Sequence, residues 1–335
     1  VSDPASFPGQ RIAAIVPCHN EEQTVAAVVR DLQQAVPGIT VYVYDNNSSD
    51  STAELARAAG AIVRYEARKG KGNVLRRAFA DIDADIYVTI DGDDTYEAAA
   101  LPRMINALLE GPYDHVLGVR SSGEAGPYRP GHEMGNRMFN RVVSLLFRSQ
   151  VSDMLSGYRV FSRRFVKSFP AVSKKFEIET ELTVHMTSLR LPQVEVEVGF
   201  GERPEGSESK LHTYTDGFKI LYLILQLVRH ERPTLFHGII AAALALVSLG
   251  LGIPVVLEFF ETGFVPRFPT AILAAAFMGL AVLVGCIGII LDGLKRGRRE
   301  AARLAYLRLD PPPHPQDADV VPPDAAGVRF DGTKK

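Results

Sequence analysis

Short apolar runs alternate with amphipathic stretches over the first two thirds of the chain, and two long uninterrupted apolar runs follow. Ile12–Val16, Val41–Asp45, Ala61–Tyr65 and Ile86–Asp91 read as β-strands, each ending in a polar, turn-rich segment before a helical pattern. Asn20 followed by Gln23 offers an N-cap for the first helix, and Ser51 with Glu54 has the spacing of a capping box for the second. Strands alternating with helices predict an α/β domain with a mostly parallel sheet, whose ligands gather at the carboxyl ends of the strands.

The long runs, Phe236–Leu257 (22 residues) and Phe268–Leu291 (24 residues), contain no Asp, Glu, Lys or Arg. Each exceeds the roughly 20 apolar residues a helix needs to cross a bilayer core of about 30 Å, so both are expected to be transmembrane. Neither stands at the N-terminus as a signal peptide would. Lys219, Arg229 and Arg232 precede the pair, and Lys295, Arg296, Arg298, Arg299, Arg303 and Arg308 follow it, whereas the connection carries Glu258, Glu261 and Arg267. The positive-inside rule makes this a hairpin in the cytoplasmic membrane with both ends, and hence the N-terminal domain and the tail, in the cytoplasm.

The expected organisation is a flexible arm over 1–10, the α/β domain over 11–215, an interfacial helix over 216–232, transmembrane helices over 236–257 and 268–291, and a basic juxtamembrane segment with a disordered tail over 295–335. Lys219, Tyr222, Gln226 and Arg229 recur at steps of three and four, giving the 216–232 helix one narrow polar stripe suited to the membrane surface. A two-helix anchor is also compatible with a homo-oligomer.

Composition changes the picture little until it is divided by region. The 335 residues carry 37 Lys and Arg against 39 Asp and Glu, a balance that excludes a dedicated nucleic-acid binder. Two cysteines, Cys18 and Cys286, leave no disulfide framework and no cysteine-based zinc site. A mean hydropathy of +0.03 averages an ordinary soluble domain with the two apolar runs.

Candidate chemistry sits at the strand ends. The fourth strand runs into Asp91-Gly92-Asp93-Asp94, where crowded carboxylates favour a hard divalent cation, Mg²⁺ or Mn²⁺, able to bridge a diphosphate. The second strand ends in Asp45-Asn-Asn47-Ser-Ser-Asp50, and the first in Pro17-Cys-His-Asn20-Glu21-Glu22. Arg68-Lys-Gly70-Lys71-Gly72 opens a helix, where free backbone N–H groups and cations attract phosphate. Neither a P-loop nor a Gly-x-Gly-x-x-Gly dinucleotide fingerprint is present.

Together these elements resemble the inverting nucleotide-sugar glycosyltransferases of GT-A fold, and among them the dolichyl- or polyprenyl-phosphate sugar synthases. The resemblance covers about residues 10–230. It includes Asp153-Met-Leu-Ser156-Gly157-Tyr158-Arg159 and, with one extra residue before Ser209, Arg203-Pro-Glu-Gly206-Ser-Glu-Ser209-Lys210. It implies that Pro17, Asn20, Glu21, Asp45, Asn47, Gly70, Lys71 and Gly92 bind the nucleotide sugar, with Asp91 and Asp93 holding the metal and diphosphate. It further implies that Arg120, Arg137 (or its neighbour Arg141), Arg203 and Lys210 grip the phosphate of a polyprenyl-phosphate acceptor. His19 and Thr95 depart from the commoner residues of these motifs.

A lipid monophosphate is its own nucleophile near neutral pH, because its second pKa is near 6. A hydroxyl acceptor on a glycolipid or glycan would instead need a base, with Asp153 or one of Glu177, Glu179 and Glu181 as candidates; otherwise those glutamates read as structural. The Gln-x-x-Arg-Trp motif of processive polysaccharide synthases is excluded, since the chain has no tryptophan. A non-enzymatic nucleotide-sugar-binding scaffold is the remaining reading.

Overall fold

A computed structural model describes residues 7–121, 152–171, 177–201, 225, 228, 229 and 231–312, with Glu177 by its backbone alone. Among them, 7–121, 152–201 and 302–312 fall in one compact unit and 231–301 in another.

The first unit is built on a seven-stranded sheet. In chain order its elements are β1 (Ile12–Cys18), α1 (Val25–Ala35), β2 (Thr40–Asp45), α2 (Thr52–Ala58), β3 (Ile62–Tyr65), α3 (Lys71–Asp81), β4 (Ile86–Thr89), α4 (Leu101–Glu110), β5 (His115–Arg120), β6 (Arg159–Ser162), α5 (Arg163–Ser168), α6 (Glu177–Leu189) and β7 (Gln193–Val198). The strand order is β3-β2-β1-β4-β6-β5-β7. β6 is antiparallel to both neighbours, and the other pairings are parallel. The chain leaves β1 towards β2 on one side and later returns to place β4 on the other. That reversal opens a crevice at the carboxyl ends of β1, β2 and β4, where ligands of open α/β sheets bind.

Strand alternation divides the core in two. Ala14, Val16, Val88 and Val160 face α1 and α4, whose Val25, Val28, Val29 and Leu32, and Leu101, Met104, Ile105 and Leu108, are buried at helical spacing. Each such side chain stabilises the fold by about 2 kcal/mol of transfer free energy. Tyr87 and Phe161 face the opposite side, within an aromatic cluster that includes Phe79, Phe165, Phe169 and His185.

Element starts and ends differ from the sequence expectation in physically clear ways. The first helix is entered through Thr24, not Asn20, which is in a left-handed conformation (φ 58°) and serves a turn. Ser51 does occupy the N-cap of α2, but its side chain makes no capping bond. Asp50 takes that role, its carboxylate accepting from Thr52 N–H at 3.1 Å. β4 ends at Thr89, two residues before the aspartate, and β1 runs two residues past Val16 to Cys18.

In the second unit α7 (Pro233–Thr262) runs for 30 residues, and α8 (Phe268–Leu307) runs for 40 in all, its last six residues lying in the first unit. Both are long and apolar enough to cross a membrane, and only 11% and 17% of their most apolar windows are buried. A core helix of a soluble protein would hide that surface. Exposed Leu246, Ile253, Phe260, Leu283 and Ile290 instead require apolar surroundings. Ser248 Oγ donates to Ala274 O at 2.7 Å, so one polar group among these side chains is satisfied across the pair. Gly263 ends α7 in a left-handed cap (φ 73°). The expected 216–232 helix falls mostly outside the described residues, as does the tail beyond 312. The basic segment from 295 is not separate from the hairpin but continues α8 as helix to Leu307.

Candidate active site

Three loops meet at the crevice. After β1, backbone N–H groups of residues 20–22 donate to side chains of the loop after β2: Asn20 to Ser48 Oγ (3.0 Å), Glu21 to Thr52 Oγ1 (2.9 Å) and Glu22 to Asp50 Oδ2 (3.2 Å). The second loop answers in kind, Ser49 N–H donating to Asn20 Oδ1 (2.8 Å) and Ser51 N–H to Glu22 Oε2 (3.0 Å). The left-handed backbone of Asn20 and Asn47 makes these tight turns, and asparagine tolerates that conformation well. A cleft of about 260 Å³ opens here, with Asn20, Glu21 and Asp50 in its lining.

Asp45 closes β2, largely buried, its carboxylate accepting from Ser48 N–H at 3.0 Å. Asn46, which the sequence reading passed over, binds the third loop: its amide donates to Glu66 O and Arg68 O (both 2.8 Å) and accepts from Gly70 N–H (2.6 Å). Asn47 donates to Ala67 O (2.6 Å). Gly70 has φ 124°, which a side chain would rarely tolerate, and thereby places Lys71 at the start of α3.

The aspartates stand beside that helix start. Thr24 Oγ1 donates to Gly92 O at 2.6 Å, tying the segment to the first loop. Asp93 is 5% exposed and its Oδ1 accepts from Thr95 Oγ1 (2.7 Å) and N–H (3.3 Å), so Thr95, singled out in the sequence as a departure, aims the carboxylate. Lys71 Nζ donates to Asp91 Oδ1 at 2.5 Å and to Glu179 Oε1 at 2.7 Å. Burial lowers the affinity of this ammonium for its proton, but the two carboxylates outweigh burial and raise it, so Lys71 stays charged. Asp91 and Asp93 offer a divalent cation two hard oxygens. Among the described residues no group of three or more His, Cys, Asp or Glu could by itself hold a metal ion; two carboxylates are hard donors of the kind Mg²⁺ and Mn²⁺ would take.

The Asp153–Arg159 segment forms the opposite wall. Gly157 N–H donates to Tyr96 Oη (3.0 Å) and Thr89 Oγ1 to Gly157 O (3.1 Å). A β-carbon at Gly157 would land on the Asp91 carboxylate and the Lys71 ammonium. Gly157→Ala is therefore expected to lower kcat/KM by about a hundredfold through displaced reacting groups. Steady-state kinetics beside a thermal melt checks this: unchanged kinetics would show that the close approach is unimportant.

Arg120, at the end of β5, donates from Nε (2.6 Å) and Nη2 (2.8 Å) to the Asp153 carboxylate and lies over Phe200. Nε and Nη2 of its guanidinium are thus committed to Asp153. Pro17 is the penultimate residue of β1, opposite Tyr44 of β2. Arg137, Arg141, Arg203 and Lys210 lie outside the described residues. Glu179, one of three glutamates that the sequence offers as structural or as a base for a hydroxyl acceptor, is buried and paired with Lys71; no local spacing shows that pairing.

The sequence profile described as Glycosyl transferase family 2 matches residues 13–169. Glycosyltransferase AglJ of Haloferax volcanii is 34% identical over 253 residues, covering 74% of this chain and 82% of that protein. A dolichyl-phosphate hexose transferase of the same organism is 28% identical over 221 residues, covering 66% of this chain and 95% of that protein. Among solved structures, glucosyl-3-phosphoglycerate synthase of Mycobacterium tuberculosis, crystallised with Mn²⁺, UDP and glucosyl-3-phosphoglycerate, aligns with a TM-score of 0.54 and 23% identity. The alignment covers 66% of this chain and 79% of that one, a likeness of fold.

Proposed function

Because the chain belongs to glycosyl transferase family 2 and has its GT-A fold, we propose that it transfers a hexose from a nucleoside-diphosphate sugar to polyprenyl phosphate. The donor we favour is a UDP-sugar, with GDP-mannose the other candidate. Transfer takes place at the cytoplasmic face of the membrane, inverts the anomeric carbon and depends on a divalent cation. The observation that carries this reading is the joining, in one chain, of a carboxylate-lined crevice with two membrane-length apolar helices. A soluble acceptor gives no reason for the second feature, whereas a long isoprenoid stays in the bilayer and presents its phosphate at the surface. The relative named for dolichyl phosphate and the Mn²⁺–UDP complex of the structural neighbour support the same acceptor and donor classes.

In this reading Asn20, Glu21, Asp45 and Asn47 line the nucleoside end of the crevice, and Gly70, Lys71 and Gly92 the diphosphate end. Asp91 and Asp93 hold the cation, which supplies positive charge to the departing nucleoside diphosphate. The acceptor phosphate, largely dianionic at neutral pH, attacks without a base and must be held beside an anionic donor. Arg120, Arg137, Arg203 and Lys210 are proposed for that grip. A hydroxyl acceptor fits less well, since Asp153 and Glu179 are already engaged by Arg120 and Lys71.

The test uses the full-length chain in detergent with radiolabelled UDP- and GDP-hexoses, polyprenyl phosphate and Mn²⁺ or Mg²⁺. Label should pass to the organic phase in a cation-dependent manner. Labelling of a glycan acceptor with none in polyprenyl phosphate would overturn the assignment.

A further inference from the structure

Lys71 is shared by two carboxylates of unlike setting. Its own side chain is 7% exposed, that of Glu179 5%, and that of Asp91 31%. Asp91 therefore opens on the crevice, while Glu179 is sealed on α6. Its backbone carbonyl accepts from Thr183 Oγ1 (3.1 Å), and that hydroxyl in turn accepts from the buried Arg159 (3.0 Å). Gly70 sets the start of α3, and the Gly157 backbone lies close against both Asp91 and Lys71.

A ligand that claims the Asp91 carboxylate removes half of the lysine's compensation. With Asp91 as its one anionic partner, a buried ammonium would hold that carboxylate back, since an unpaired buried charge is strongly unfavourable. We propose that Glu179 is a positioning residue for donor binding. It retains Lys71 against α6 as a fixed counter-charge, so that Asp91 can turn to the cation while the ammonium remains beside the donor's diphosphate. The proposal rests on the reading of the crevice as a nucleotide-sugar site and adds a residue that does not itself touch the donor.

Binding of Mn²⁺ in the presence of UDP, followed by electron paramagnetic resonance of the free ion, provides the test. Folded Glu179→Gln should bind Mn²⁺ about tenfold more weakly, with donor KM rising in parallel and acceptor KM unchanged. Glu179→Asp, which keeps the charge one methylene short, should lose less, and it serves as the second probe where the glutamine variant is unstable. In a Lys71→Met background, Glu179→Gln should add less than about a twofold effect, as expected of residues acting through one another. Wild-type Mn²⁺ affinity in a folded Glu179 variant, or a full further loss in the Lys71→Met background, would overturn the proposal and leave the site reading standing. Failure of the wild-type chain to bind either UDP or GDP with Mn²⁺ would overturn both.

Discussion

Asp93→Asn should reduce transfer by about a thousandfold or more while leaving the protein folded, the scale seen when a centre stabilising developing charge is removed. Asparagine has the shape of aspartate and can still accept from Thr95 Oγ1 and N–H, so the turn after β4 keeps its geometry. What disappears is one negative charge, at a side chain 5% exposed, where water screens little of its attraction for a cation. The loss should therefore appear in kcat and in Mn²⁺ affinity, with the melting temperature nearly unchanged. Turnover close to wild type would remove Asp93 from the metal site and, with it, the main reason for placing the diphosphate there.

The second large effect concerns stability. Arg159 is fully buried on β6, donating from Nε to Ser156 O (2.8 Å), from Nη2 to Met154 O (2.7 Å) and from Nη1 to Thr183 Oγ1 (3.0 Å). Burial lowers its pKa to about 10, so it remains charged at neutral pH. Arg159→Leu fills part of the volume but strands two carbonyl oxygens of the 153–158 wall, and the expected cost is about 3–5 kcal/mol. The apparent Tm of the full chain should fall by roughly 10 °C. Lysine should not restore it, because one ammonium cannot reproduce the planar fork. A shift of a degree or two would mean that the wall is held chiefly by Tyr96 and Thr89.

What was legible in the sequence follows from range. β1, β2 and β4 are short apolar runs broken by Asn, Asp and Gly, so local pattern placed them within about two residues, which is the usual uncertainty of element ends. The aspartates and the lysine-bearing loop stand out in the sequence as candidates because each carries its signal within a few residues. The Lys71–Glu179 pair, the Arg120–Asp153 pair and the Arg159–Thr183 bond join segments far apart in the chain. Nothing in the local spacing of Glu177, Glu179 and Glu181 singles out the middle one, whose burial on α6 beside Lys71 only the fold shows. Thr95 was noticed as a departure, but its bond to Asp93 depends on a turn in which Asp94 is left-handed (φ 58°). The caps depart for a similar reason: Asn20 is spent on Ser49 across two loops, and Ser51 holds the N-cap position of α2 without a side-chain bond while Asp50 accepts from Thr52 N–H.

That exchange of bonds between the loops after β1 and β2 has a cost in time as well as in energy. Each loop supplies the other with acceptors, so neither can swing aside without stranding polar groups of both. The entropy of ordering this part of the crevice is lost once, when the protein folds, and not again at every turnover. On the proposed reading, a donor entering there would meet a surface already set.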